Sequence, residues 1–178
     1  MNTTEPFDFL LSLEQRALKG SAGLPETDRV EEEWVGVGFR IGDNRLIAPM
    51  SEVREILDMP EFTRVPGVKS WVVGIANVRG SLLPIMDLKG FMLGEDIRQR
   101  NKGRLIVIDY KGFDTALVVE EIYGMRHFRE SDALAETPPM DEKISPYIER
   151  VLDDGEERWP VFSFSKMAED ERFVHASL

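Results

Sequence analysis

The amino-acid sequence predicts a mainly β protein with helical ends, and three observations lead to this prediction. From Trp34 onward, apolar residues alternate with glycine or polar residues at a period of two, which is typical of strands with one buried face. Short apolar runs then recur between turns such as Gly42-Asp43-Asn44 and Lys111-Gly112. Both ends of the chain instead show helical features. Many short strands at this spacing indicate closed or nearly closed small barrels.

Residues 1–33 predict an N-terminal helix and an acidic linker, ahead of a domain at 34–178. Pro6 near the start of the helix and Gly20 just past its end follow the known preferences of helix termini. One apolar stripe recurs at helical spacing along this stretch: Phe7, Leu10, Leu11, Ala17 and Leu18. The stripe would dock on the chain's own domain or on a partner, and the sequence leaves both open.

The strand-like segments follow in order and are separated by turn residues. After the alternating run at 34–41 and the hairpin region at 74–88, they are 104–110, 113–119, 122–128, 147–152 and 158–163. A long connection with three prolines spans 131–146. Ser165 is the expected N-cap of a closing helix that reaches Phe173.

Residues 74–88 form the most informative segment. Two apolar runs flank a tight turn in which Gly80 can take a positive φ and the Asn77 side chain can hold the backbone. Pro84 cannot donate a ladder hydrogen bond, so it should occupy an edge or bulged position. The turn would present Arg79 on a rigid hairpin, which makes this arginine a candidate recognition residue.

Composition excludes several functional classes. The chain has 178 residues with a formal net charge of −11, so a nucleic-acid phosphate backbone would be repelled. It has no cysteine, which removes disulfides, thiolate catalysis and Cys-ligated metals. No apolar run approaches the roughly 20 residues of a membrane-spanning helix, and no secretory signal pattern is present. We therefore expect a soluble, cytoplasmic protein.

The residues also argue against an enzyme. The two histidines, His127 and His175, lack a ligand partner at helical or strand spacing, so we expect no metal site. Neither a Gly-x-Ser-x-Gly elbow nor a phosphate-binding Gly-Lys-[Ser/Thr] motif occurs. We expect no catalysis and no cofactor, which leaves protein binding as the open function.

Taken together, the segments resemble the CheW family, whose members are scaffolds that couple chemoreceptors to a histidine kinase. The matching motifs run in the family's order and spacing: Val53-Arg54-Glu55-Ile56, Thr63-Arg64-Val65-Pro66, the 74–88 hairpin, Leu105-Ile106-Val107-Ile108, residues 116–122, and the block from Tyr147 to Met167. The resemblance covers roughly residues 34–167. It implies a CheW-like fold with two five-stranded SH3-like β-barrels that share a hydrophobic core.

The resemblance also implies a set of receptor- or kinase-binding residues: Val53, Glu55, Gly74, Asn77, Arg79, Leu105, Ile106 and Met125. Arg79 would be the charged anchor, able to make bidentate bonds to a carboxylate. The last three would line a groove between the barrels that receives the apolar face of a helical hairpin. Because neighbouring residues on a strand face opposite ways, we expect at least one of Leu105 and Ile106 to be core.

The implied function is that of a chemotaxis signal-transduction adaptor in a two-component system. It would bind the cytoplasmic tip of a methyl-accepting chemoreceptor and the regulatory domain of a CheA-type kinase, and would be recruited to membrane receptor arrays. The long N-terminal helix and the Trp159–Ser163 strand are similar to the branch that serves type IV pilus twitching motility. A flagellar chemotaxis adaptor and a stand-alone small β-barrel that binds a peptide or ligand remain alternatives. Family departures at 46–49 and at Arg150 leave the partner specificity open.

Overall fold

The computed structural model describes residues 33–95, 97 and 102–176. The strands are β1 (Trp34–Ile41), β2 (Asn44–Pro49), β3 (Glu55–Asp58), β4 (Phe62–Thr63), β5 (Val72–Val78), β6 (Ser81–Asp87), β7 (Arg104–Tyr110), β8 (Phe113–Val119), β9 (Glu121–Phe128), β10 (Ile148–Asp153) and β11 (Arg158–Phe162). The α-helices are α1 (Leu88–Leu93), α2 (Phe164–Ala168) and α3 (Glu171–Val174), and 3₁₀ turns lie at Met50–Glu52, Glu130–Asp132 and Ser145–Tyr147. The predicted N-terminal helix and linker lie outside the described residues except for Glu33, so the division at 33/34 stays a prediction.

The strands form two sheets. One has five strands in the order β10-β11-β2-β1-β9, and the other has six in the order β3-β7-β8-β6-β5-β4. The sixth strand is β4, which is only two residues long and pairs with β5. The prediction of a mainly β fold built on two small barrel-like sheets is confirmed, with β4 as an addition to the expected five strands.

The core formed by the described residues has three apolar clusters, of which one joins the two sheets. The central cluster contains residues of both sheets, for example Phe39 of β1 and Ile106 of β7, each fully buried. A second cluster around Ile85 lies within the six-stranded sheet, and a third around Trp159 lies within the five-stranded sheet. Each large apolar side chain buried in this way contributes about 1.5–3 kcal/mol. The shared core predicted for the two halves is therefore present.

The β5–β6 hairpin has the predicted turn. Arg79 has φ 52° and Gly80 has φ 86°, the two positive φ values that a type I′ hairpin turn requires. Asn77 Oδ1 accepts a hydrogen bond from the Gly80 backbone N–H at 3.0 Å, which ties the turn together. The hairpin thus holds the arginine at its tip, as the sequence indicated.

Pro84 lies neither on an edge strand nor at the register shift of the β5–β6 pair, which falls between Val72 and Gly74, so the prediction of an edge or bulged position was wrong. Its strand, β6, runs inside the sheet between β5 and β8. Pro84 pairs with Ile75 of β5, whereas the parallel pairing to β8 begins one residue later, at Ile85 opposite Ala116. The proline therefore lies just before the β8 ladder begins, where its missing N–H removes no bond to that strand.

The predicted closing helix is two short helices, and its N-cap is Ser163 instead of Ser165. Ser163 keeps the extended conformation of β11, and its Oγ accepts a hydrogen bond from Lys166 N at 3.3 Å. Asp170, with φ −64° and ψ 126°, interrupts the helix and caps α3 by accepting from Arg172 N at 2.8 Å. A capping residue needs non-helical backbone, which Ser165 inside α2 does not have.

Asp170 also ties α3 to the 3₁₀ turn at Ser145–Tyr147. Its carboxylate accepts from the Tyr147 hydroxyl and, at 2.9 Å, from Arg172 Nη2. Arg172 is the main cause that holds the pKa of Asp170 at about 2, below its usual 3.8, and the Tyr147 hydrogen bond acts in the same direction. Burial raises the pKa of the Tyr147 hydroxyl.

We expect Asp170→Asn to lower the free energy of unfolding at pH 7 by about 1–2 kcal/mol, because the amide keeps the capping oxygen but removes the charge that faces Arg172 and one of the two acceptor oxygens. A depressed carboxyl pKa stabilises the fold above the unfolded value, so this contribution is complete above about pH 4 and fades as pH falls toward about 2. Urea denaturation of both proteins at pH 7, 4 and 3 measures the difference. A difference that stays constant down to pH 3 would contradict the assignment.

Candidate protein-binding site

Three of the predicted residues, Glu55, Asn77 and Arg79, meet at the β5–β6 hairpin. Arg79 Nη2 lies 2.7 Å from Glu55 Oε1, so the hairpin tip and the first residue of β3 form an ion pair. The Arg79 side chain is 74% exposed and the Glu55 side chain 35% exposed. Arg79 therefore has an internal partner and still presents most of its surface to solvent.

A small pocket of about 230 Å³ lies beside this ion pair. Leu57, Val78 and Leu83 give it apolar walls, and Arg54 and Asp114 add charge to its rim. Arg54 Nη1 pairs with Asp114 Oδ1 at 2.8 Å and with Asp109 Oδ2 at 3.1 Å. An apolar centre with alternating charges around it suits a protein partner that brings both an apolar side chain and a carboxylate or cation.

A larger groove of about 480 Å³ adjoins the hairpin pocket, and Arg54 lines both. The lining residues come from the segment after β2, from the end of β7 and its turn, and from the region of α2: Ser51, Glu52, Val53, Arg54, Ile108, Asp109, Lys111, Phe164, Ser165, Ala168 and Glu169. Val53, Ile108 and Phe164 are buried apolar residues at its base. Several of the other lining residues are exposed, so the groove opens to solvent.

Leu105 and Ile106 do not line this groove, and the expectation that one of them would do so was wrong. Both are fully buried. Leu105 packs in the cluster of the six-stranded sheet and Ile106 in the central cluster, because β7 lies between β3 and β8 and is covered on both faces. Ile108, two residues further along the same face as Ile106, reaches the groove instead. The point where the groove crosses β7 depends on the position of α2.

Gly74 lies behind the hairpin and packs against β4. Its φ is 156°, it lies at a register shift between β5 and β6, and an added Cβ would overlap the carbonyl oxygen of Thr63. The same Cβ would lie 2.9 Å from Phe62 Cδ2. Gly74 thus allows β4 to approach β5 closely, so its effect on the hairpin is indirect.

Met125 lies apart from the hairpin group. It is on β9 of the five-stranded sheet, opposite Val37, and is 63% exposed. It is not among the residues that line the two pockets described above. Its part in partner binding stays a prediction.

Within residues 33–95, 97 and 102–176, no three His, Cys, Asp or Glu residues come together closely enough to hold a metal ion. His127 Nδ1 pairs with Glu33 Oε1 at 2.9 Å, while His175 Nδ1 contacts the Glu171 carbonyl at 2.9 Å. Among the helices in the described ranges, none has the length and apolarity needed to cross a bilayer.

A family model described as the CheW-like domain matches residues 35–172. The chain belongs to the CheW-like domain family. Protein PilI of Pseudomonas aeruginosa is 39% identical over 173 residues, which cover 97% of each chain. Protein FrzA of Myxococcus xanthus is 31% identical over 57% of this chain and 62% of its own, and chemotaxis protein CheW of Helicobacter pylori is 27% identical over 69% and 74%.

The CheW-like fold is also seen among solved structures. The scaffolding protein TtCheW from Thermoanaerobacter tengcongensis superposes with a TM-score of 0.67, covering 78% of this chain and 94% of that protein. Its sequence identity is 18%, so this likeness bears on the fold alone.

Proposed function

We propose that this chain is a chemosensory coupling adaptor that links a methyl-accepting chemoreceptor to a CheA-type histidine kinase and has no catalytic activity of its own. The observation that carries the proposal is the pair of adjoining surfaces, the apolar groove and the Arg79–Glu55 hairpin, on a CheW-like domain. The full-length similarity to PilI supports the assignment to type IV pilus twitching motility.

The groove is the surface suited to the receptor tip. A receptor hairpin presents an amphipathic helix, and such helices bind by laying an apolar face into a hydrophobic groove. Val53, Ile108 and Phe164 supply the apolar base, while Lys111 and Glu169 place opposite charges along the lining. The acidic chain as a whole would disfavour anionic partners, so specificity would come from the apolar base and the local charges.

The hairpin is the surface suited to the kinase regulatory domain, which is itself CheW-like in this family. Arg79 would contact a partner carboxylate while Glu55 fixes its direction. A single contact of this kind gives only a modest affinity. The assembly would gain its stability from an array that holds many copies together. Recruitment to such an array would bring the protein to the inner face of the membrane without insertion.

We expect Ser165→Trp to weaken binding of a purified chemoreceptor cytoplasmic hairpin at least about tenfold, because the indole would occupy the groove that the receptor helix needs. Ser165 is exposed and lines the groove, so the substitution should leave the melting temperature within about 2 °C. Biolayer interferometry and thermal melts measure the two quantities.

Ser70→Trp is the matched control. Ser70 is an exposed serine that precedes β5 and is not among the residues lining either pocket. It should bind the receptor fragment like the wild type. Normal binding by Ser165→Trp would exclude the groove as the receptor site.

A further inference from the structure

We propose that Glu52 is a positioning residue that fixes the width of the partner-binding groove by joining its two walls. This inference rests on the proposed function, because it takes the groove as the receptor site. Glu52 ends the 3₁₀ turn between β2 and β3, so it lies where the chain passes from the five-stranded to the six-stranded sheet.

The Glu52 carboxylate makes three hydrogen bonds to the beginning of α2. Oε2 accepts from Phe164 N at 2.6 Å, and Oε1 accepts from Ser163 Oγ at 3.1 Å and from Ser165 N at 3.3 Å. Ser163 already caps α2 through Lys166 N. The helix therefore has its own local cap, and the Glu52 contacts add a connection over more than 110 residues of sequence.

The segment that carries Glu52 is fastened on its other side to β7. Arg54 N donates to the Val107 carbonyl at 2.8 Å, and Arg54 Nη1 reaches Asp109 Oδ2 at 3.1 Å. One wall of the groove is thus built on β7 and the other on α2, and the segment Glu52–Arg54 spans the space between them. Val53 of this segment lies in the same apolar cluster as α2, and the hydrogen bonds from the segment to α2 are those of Glu52.

Loss of the Glu52 contacts should lower the affinity for the receptor helix more than the stability of the fold. A groove whose walls are held at one separation binds a helix without first losing conformational freedom, whereas a loosely held wall must be ordered on binding. Replacing Glu52 with alanine should leave both sheets and their three apolar clusters intact, because Glu52 is not one of the core residues. The buried face of α2 would stay packed with β7 in the central cluster, while the first residues of the helix, which line the groove, would move more freely.

Affinity for a purified chemoreceptor cytoplasmic hairpin gives the first test. We expect Glu52→Ala to bind about tenfold more weakly, and Glu52→Gln about threefold more weakly because glutamine keeps one acceptor oxygen. The control is Asp87→Asn, which alters a fully buried carboxylate that caps another short helix, with Oδ1 accepting from Gly90 N and Oδ2 from Ile97 N, each at 2.9 Å. This variant should lower stability, so its binding is measured at a temperature where it is fully folded. Asp87 is not among the residues lining the groove, so any loss of affinity in that variant should be less than about twofold.

The width of the groove gives a second readout, which a purely stabilising role would not change. The chain has no cysteine, so Lys111→Cys and Lys166→Cys introduce a single pair of spin-label sites, one at the β7–β8 turn and one on α2. The distance distribution between the labels, measured by pulsed electron resonance without receptor, should broaden in Glu52→Ala and stay unchanged in Asp87→Asn.

The two proposals fail in different ways. If Ser165→Trp leaves receptor binding unchanged, the groove is not the receptor site and the proposed function fails. If Ser165→Trp abolishes binding while Glu52→Ala binds within twofold of the wild type and keeps a narrow distribution, the role of Glu52 alone is overturned. Should Glu52→Ala fail to fold, Glu52→Gln decides by the same two measurements.

Discussion

Arg79→Glu is expected to abolish coupling while leaving the domain folded. The Arg79–Glu55 pair is exposed, and such pairs contribute only about 0–1 kcal/mol to folding, so its loss should barely move the melting temperature. A buried interface arginine, in contrast, is often worth about 2 kcal/mol or more, which corresponds to about thirtyfold in affinity. Pull-down with receptor and kinase, kinase activation and twitching motility are the measurements.

Two further variants separate the internal ion pair from the partner contact. Arg158→Glu is the control, because Arg158 is an exposed arginine on β11 that pairs with Asp153 at 3.4 Å, and its reversal should leave coupling intact. The double variant Glu55→Arg with Arg79→Glu restores an opposite-charge pair with reversed polarity. If it regains coupling, Arg79 serves only to hold the hairpin. Unchanged pull-down and twitching in folded Arg79→Glu would exclude the anchor role altogether.

Gly74→Ala is expected to give the largest loss of stability, about 2–4 kcal/mol, by forcing β4 away from β5. The new Cβ would overlap the Thr63 carbonyl oxygen and crowd Phe62 in a backbone conformation, φ 156°, that other residues rarely adopt. Because the residue itself lies behind the hairpin, binding should fall only as the folded fraction falls. Chemical denaturation and binding at low temperature test both parts.

Gly67→Ala separates the steric effect from the backbone effect. Gly67 also has a positive φ, +70°, but an added Cβ there meets no atom within 4 Å. Its replacement should therefore cost only about 1 kcal/mol, the strain of the left-handed conformation. If Gly74→Ala costs no more than Gly67→Ala, the close approach of β4 is not what requires glycine.

Local patterns determined much of this fold in advance. The alternation from Trp34 onward predicted β1, and Asn77 with Gly80 predicted a hairpin turn with positive φ. These predictions succeeded because strand alternation and turn geometry depend on residues only a few positions apart. The order and spacing of the motifs also predicted the CheW-like family, which the match over residues 35–172 confirms. Three short-range predictions were wrong: the position of Pro84, the N-cap at Ser165 and the single closing helix. In each case a neighbouring strand or a helix cap determined where the strand pairing or the helix begins and ends.

The tertiary structure decided which residues line the groove and the hairpin pocket that we propose as binding surfaces. Leu105 and Ile106 look alike in the sequence to Ile108, yet only Ile108 reaches the groove, because the position of α2 determines where β7 is covered. Glu55 lies 24 residues before Arg79, and Glu52 more than 110 residues before α2, so neither contact leaves a periodic signal. The sequence by itself determined the class, the hairpin and the family, since these follow from short-range chemistry. The packing of distant segments forms the groove, the contacts of Glu52 with α2 and the ion pair of Arg79 with Glu55. No local sequence pattern encodes such packing.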